Sequence, residues 1–238
     1  MGEMRSIGLI GGMSWESTAV YYRLLNEGVR RRLGGLHSAK VLLHSVDFAQ
    51  IASLQRAGDW PAAGERLADA ARGLERAGAD TLLICTNTMH LVADQVQAAV
   101  NIPLLHIVPP TAAAIRAAGL SRVALLGTAF TMQQPFLRDL LVAEGLEVLV
   151  PDEGDQALIH RVIFDELCRG EIREASRTAY LAVLDRLRAA NGGVGAEGAI
   201  LGCTEIGLLI DERHTDLPLF DTTELHASAA LTFALGGD

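Results

Sequence analysis

Two short loops in this chain carry residues able to move protons. One is Thr86-Asn87-Thr88 and the other is Cys203-Thr204-Glu205, and each follows an apolar run. Laid on each other without gaps, residues 78–88 match residues 195–205, which sets Thr86, not Cys85, opposite Cys203. The run Ser6-Ile7-Gly8-Leu9-Ile10-Gly11-Gly12 likewise resembles Arg122-Val123-Ala124-Leu125-Leu126-Gly127-Thr128. Both offsets are about half the chain, so the sequence reads as two related halves. Two such loops facing each other across a pseudo-twofold axis could hold one small molecule between a thiol and a hydroxyl.

Each candidate has a plainer reading beside the chemical one. Cys203 follows a buried strand and precedes a short helix. Helix-terminal N–H groups there would lower a thiol pKa from about 8.5 and favour the thiolate. A lone cysteine is also a small buried hydrophobe. Thr86 is an ordinary helix cap unless its match to Cys203 is functional. If Thr86 faces the ligand, strand alternation turns Cys85 into the core. Asn87 and Thr88 can donate to a carboxylate at a helix start, or simply cap it. His90, one turn on, reads as a satisfied structural histidine. Asp47 could hold a substrate ammonium or cap the next helix. The Gly11-Gly12-Met13-Ser14 turn could bring amides close to an anion. It lacks the spacing of a dinucleotide fingerprint, because Trp15-Glu16 follow where the last glycine belongs. His44, His106 and His226 show no metal-ligand spacing, so no metal is assigned. Cys168 reads as a bystander on a helix.

The elements that must position these groups alternate along the chain. RSIGLIG is a buried strand into a tight turn, and Ser14 caps the helix WESTAVYYRLLNEGVRRRL, which Gly34-Gly35 ends. AKVLLHSVDF is a second strand. Asp59-Trp60-Pro61 opens a helix to about Ala77, with proline in its first turn. DTLLI is a third strand, TNTMHLVADQVQAAV its helix, and IPLLHIV a fourth strand. The second half restarts with a helix near residues 110–118 and the strand RVALLGT. It continues through FTMQQPFLRDLLVAEG, a strand at LEVLV, two helices between about 153 and 190, the strand GAILG, and PLFD leading into a last helix. Residues 191–195 form a loop. This alternation predicts an α/β protein of two Rossmann-like domains with parallel sheets. The expected domains are 1–113 with 215–238, to which the last helix returns, and 114–214. Ligands in such sheets bind beyond the carboxyl ends of the strands, where every unusual loop lies, so the site is expected in the cleft between the domains.

Composition narrows the class. Half of the 238 residues are apolar, enough for a real core, and the net charge of −9 argues against nucleic acid as a partner. No apolar run approaches membrane-spanning length, and the N-terminus lacks a signal-peptide layout. Three cysteines without metal spacing fit reduced thiols in the cytoplasm.

GLIGGMSWEST, SVDF, NTMH and LGCTEI, in that order over nearly the whole chain, resemble the aspartate/glutamate racemase family. The resemblance implies two similar α/β domains with the site between them, commonly in a homodimer. It implies racemisation of an acidic amino acid without pyridoxal phosphate, metal or nucleotide, by two opposed cysteines. Here the first of these is replaced, giving TNT where the family has CNT. Carried over by position, Thr86 and Cys203 form the proton-transfer pair. Asn87, Thr88, Thr128 and Thr204 are ligand contacts, Met13 and Ser14 contribute from the first loop, and Gln50 stands near the place of a carboxylate-clamping arginine. By analogy the second-half cysteine faces the α-hydrogen of the L-form, so L-substrates should react better. Two other readings stay open: a single-cysteine decarboxylase or isomerase of a small dicarboxylic acid, and a non-catalytic binding protein for an acidic amino acid.

Overall fold

Buried apolar runs such as Ile7–Gly11, Thr81–Ile84 and Gly198–Leu201 make the inner strands, Val41–Ser45 and Glu147–Leu149 are partly exposed, and capped segments make the helices that cover the sheets. The computed structural model describes residues 3–189 and 195–236. The chain divides into two compact units, Met1–Ile107 with Thr223–Asp238, and Val108–Thr222.

The first unit runs β1 (Ile7–Gly11), α1 (Trp15–Leu33), β2 (Val41–Ser45), α2 (Phe48–Ala57), α3 (Trp60–Arg76), β3 (Thr81–Ile84), a 3₁₀ turn (Thr88–Val92) and α4 (Ala93–Ala98). Its sheet is parallel, in the order β2-β1-β3. The second unit holds α5 (Val108–Ala117), β4 (Arg122–Leu126), α6 (Ala129–Gln133), α7 (Pro135–Ala143), β5 (Glu147–Leu149), α8 (Glu153–Asp165), a 3₁₀ turn (Leu167–Arg169), α9 (Glu174–Ala189), β6 (Gly198–Leu201), α10 (Ile206–Leu209) and β7 (Leu219–Asp221). Its sheet is also parallel, in the order β5-β4-β6-β7. The last helix, α11 (Thr222–Leu235), packs Ala227, Ala230 and Leu231 with Ile7, Leu9, Tyr21 and Leu25 of the first unit.

The internal repeat holds down to hydrogen-bond register. Ile7 pairs with Thr81 and Ile10 with Ile84, while their counterparts Val123 and Leu126 pair with Gly198 and Leu201. The amide of Ser6 donates to Asp80 Oδ2 at 2.6 Å, and the amide of Arg122 donates to Glu197 Oε2 at 3.0 Å. A carboxylate thus pins the start of the central strand in both units. Leu82 bridges Leu104 as Ala199 pairs with Leu219. The fourth strand of the first unit, expected over IPLLHIV, is therefore reduced to one bridge.

Other expectations are corrected in detail. The second strand stops at Ser45, because Asp47 turns the chain and caps α2 by accepting from the Ala49 amide at 3.1 Å. The helix after β3 begins as a 3₁₀ turn. The segment after β4 breaks into α6 and α7 at Pro135, which has no N–H to continue the ladder. Strand β7 belongs to the second sheet, so the return to the first unit starts at Thr223, not at 215. The 191–195 loop lies outside the described residues but for Gly195.

Candidate active site

Strand alternation sorts the candidate side chains. In β3, Leu82 and Ile84 pack on one face of the sheet and Leu83 and Cys85 on the other. Cys85 is fully buried beside Ile7, Leu9 and Tyr21, and burial pushes its thiol pKa up. Thr86, half-buried, is the next residue along. In β6 the series Ala199, Leu201, Cys203 faces one core, with Ile159, Tyr180 and Leu184. Cys203 is 9% exposed at the rim end of that series.

The loops of the first unit knit together. The Val46 amide donates to the Gly11 carbonyl at 3.0 Å, and the Gly12 amide donates to Thr18 Oγ1 at 2.8 Å. Ser17 Oγ donates to the Cys85 carbonyl at 3.1 Å, which ties the start of α1 to the loop after β3. Gly12 has φ +90°, and a Cβ there would stand 2.3 Å from the Val46 carbonyl oxygen, so only glycine lets the two loops close. Ser14 is buried as the cap of α1 and Met13 packs into the core, while Asp47 and Gln50 are exposed. Asn87 and Thr88 are buried at the 3₁₀ turn.

His90 fixes the carbonyl of Thr86. Its Nε2 accepts the Ile107 amide at 3.3 Å, so Nδ1 carries the proton and donates to the Thr86 oxygen at 2.8 Å. Both nitrogens are used in the neutral ring, and burial, with His106 and His226 nearby, holds its pKa well below the usual histidine value. His226 is set in the same way: Nε2 donates to the Leu105 carbonyl at 2.7 Å and Nδ1 accepts from the Tyr21 hydroxyl at 2.9 Å. The described residues contain no group of three or more His, Cys, Asp or Glu able to hold a metal.

In the second unit the Thr128 and Cys203 loops adjoin. The Gly202 amide donates to the Leu126 carbonyl at 2.6 Å, and a Cβ on Gly127 would meet the Gly202 carbonyl at 3.0 Å. Thr128 is buried and caps α6 through the Thr131 amide at 3.3 Å. Cys203 Sγ donates to Glu205 Oε2 at 2.9 Å, and Thr204 Oγ1 donates to the same oxygen at 2.7 Å. This corrects the expected thiolate. Burial first, then the adjacent Glu205 carboxylate, push the Cys203 thiol well above its ordinary value. The four-residue α10 does not outweigh them.

The family model for Asp/Glu/hydantoin racemases matches residues 10–230. The chain belongs to that family. A Yersinia pestis protein assigned as an Asp/Glu racemase is 50% identical, with TM-score 0.89, 98% of this chain and 100% of that one covered. An aspartate racemase homologue from Pyrococcus horikoshii is 34% identical, with TM-score 0.85 and the same coverage. The broad specificity amino-acid racemase RacX of Bacillus subtilis is 23% identical over 95% of this chain and 96% of its own. This racemase is thus an isomerase whose reaction class is amino-acid racemisation. No helix among the described residues is long and apolar enough to cross a membrane.

Sequence reasoning named Glu205 only as a neighbour of Cys203, whereas its carboxyl accepts the Cys203 thiol. Its signal was a carboxylate two residues past the thiol, but not that the side chain folds back onto it. Cys168 lies in the 3₁₀ turn Leu167–Arg169, with Sγ 3.8 Å from Glu205 Oε1.

Proposed function

We propose that the protein racemises an acidic amino acid, L-aspartate or L-glutamate, without a cofactor, with Cys203 and Thr86 serving opposite faces of the α-carbon. The observation that carries this reading is the matched register of the two units. Ile10↔Ile84 and Leu126↔Leu201 are equivalent pairs, and Thr86 and Cys203 each stand two residues beyond them.

The chemistry follows from what each group can do. As a thiolate, Cys203 takes the α-hydrogen of the L-form: the C–H bond breaks, an S–H bond forms, and the electron pair passes into the substrate carboxylate as an enolate. The Thr86 hydroxyl then gives its proton to the opposite face and regains one from water. A threonine hydroxyl is rarely deprotonated near neutral pH, so it serves as an acid and poorly as a base. Hydrogen bonds from Asn87, Thr88, Thr128 and Thr204 would stabilise the developing enolate. Met13 is packed into the core and Gln50 is exposed, so their roles as ligand contacts need the loops to rearrange around the substrate. Asp47 already caps α2 and would bind an ammonium only with its free oxygen. The reading extends to a homodimer in the cytoplasm, where its thiols stay reduced.

Proton NMR of L-Asp and L-Glu in deuterated buffer tests it. Wild-type protein should erase the α-proton signal of at least one acid, and Cys203→Ala should not. Retention of both signals, or exchange indifferent to Cys203→Ala, overturns the reading.

A further inference from the structure

We infer that Glu205 is a positioning residue: its carboxylate fixes the proton on Cys203 and sets when that thiol becomes the base. The inference rests on the racemase reading for its catalytic meaning and on geometry for the rest. Glu205 opens α10, yet it is only 3% exposed, because its side chain turns back over the loop it follows. One oxygen accepts both the Cys203 thiol at 2.9 Å and the Thr204 hydroxyl at 2.7 Å. The other faces the Cys168 thiol at 3.8 Å. Two thiols and a hydroxyl thus converge on one buried carboxyl.

The titratable neighbours on the packed elements are mostly acids. Cys168 and Glu166 approach from the 3₁₀ turn and the residue before it, Tyr180 from α9, and Asp221 from the end of β7 beside Gly207. Glu166 is itself engaged by Ser176 at 2.6 Å and Arg173 at 3.5 Å. Arg177 of α9 reaches α10 through the Leu209 carbonyl at 2.8 Å.

A thiolate beside a carboxylate suffers like-charge repulsion, whereas a thiol donating to it is favoured. Cys203 therefore rests protonated. Its proton must leave to solvent before the thiolate can take the α-hydrogen, after which S–H is restored as Cα–H breaks. Glu205 thus delays the base to higher pH and makes it a stronger one once formed.

The test compares wild type, Glu205→Gln and Glu205→Asp across pH by two readouts. One is the rate at which iodoacetamide alkylates the Cys203 peptide, followed by mass spectrometry, which tracks the thiolate fraction. The other is α-deuterium incorporation into the L-substrate. Glu205→Gln should move the rise of both to lower pH, by about one unit or more, and lower the plateau of exchange at high pH. Glu205→Asp, which keeps the charge, should stay near the wild-type position. Coincident wild-type and Gln profiles, or a shift to higher pH, overturn the inference. A shifted alkylation profile with no exchange in any variant would sink the racemase reading and leave the role of Glu205 standing. If the Gln variant does not fold, Glu205→Met, which keeps the bulk and removes the carboxylate, takes its place. Its thiolate absorbance midpoint, read as the difference from Cys203→Ala in the same background, should lie below that of wild type, and an equal or higher midpoint overturns the inference.

Discussion

His90 Nδ1 lies 2.8 Å from the carbonyl oxygen of Thr86, while its Nε2 accepts from the Ile107 amide at 3.3 Å. One buried ring therefore locks the loop that presents the Thr86 hydroxyl. His90→Ala would strand two backbone groups, each at about 1–3 kcal/mol, and would free the Thr86 loop. Thermal unfolding should show a loss of at least about 2 kcal/mol, and exchange into substrate should fall in the protein that remains folded. A loss within about 0.5 kcal/mol, the scale of a neutral surface change, would contradict this role.

The same cluster predicts acid sensitivity. Burial holds the folded-state pKa of His226 down to about 4, and that of His90 moves in the same direction. The unfolded chain takes up these protons near the ordinary value of about 6.5. Between these limits the unfolded state binds more protons, so stability is full above about 6.5 and declines as pH falls toward 4. His226 alone accounts for about 3 kcal/mol over that window. Urea unfolding at stepped pH should show the decline, and His226→Gln should flatten it. An equal slope in both proteins would remove His226 as its source.

The two loop cysteines should behave differently. Cys85 packs in the core of the first unit with Leu83, and Cys203 meets Glu205 at the rim of the second. Cys203→Ala should abolish α-proton exchange in a folded protein. Cys85→Ala should lower the melting temperature and keep most of the exchange. Lost exchange in folded Cys85→Ala would show that Cys85, not Thr86, is the reacting group.

Gly12 gives a backbone test. Its φ of +90° and the Val46 carbonyl 2.3 Å from any added Cβ leave no room for a side chain. Gly12→Ala should cost about 1–3 kcal/mol from strain alone, with the steric clash added. Gly34→Ala, also at positive φ but with open space around it, should cost less. Equal destabilisation of the two variants in denaturant melts would refute the close approach of the β1 and β2 loops.

Much of this was legible in the residues. The gap-free match of residues 78–88 to 195–205 anticipated the equivalent registers of β3 and β6, and period-two alternation placed Cys85 in the core. Less legible was the fate of IPLLHIV, whose apolar run resembles PLFD but makes only the Leu82–Leu104 bridge. The helix Phe48–Ala57 was hidden because its first apolar residues continue a strand-like run; Asp47, a cap, was the signal. The protonation of Cys203 was missed for a deeper reason. A helix start three residues on favours a thiolate and a folded-back carboxylate opposes it, and the side-chain direction of Glu205 is not written in the spacing.

The central claim, that Thr86 and Cys203 form an unequal proton-transfer pair, is tested most directly by the initial rates of α-deuterium incorporation into D- and L-substrate. Wild-type protein should label the L-form faster, on the order of a hundredfold, as expected when one face has a base and the other only an acid. Thr86→Cys should raise labelling of the D-form more than that of the L-form. Equal labelling of both enantiomers by the wild type, or an unchanged ratio in folded Thr86→Cys, would contradict the account.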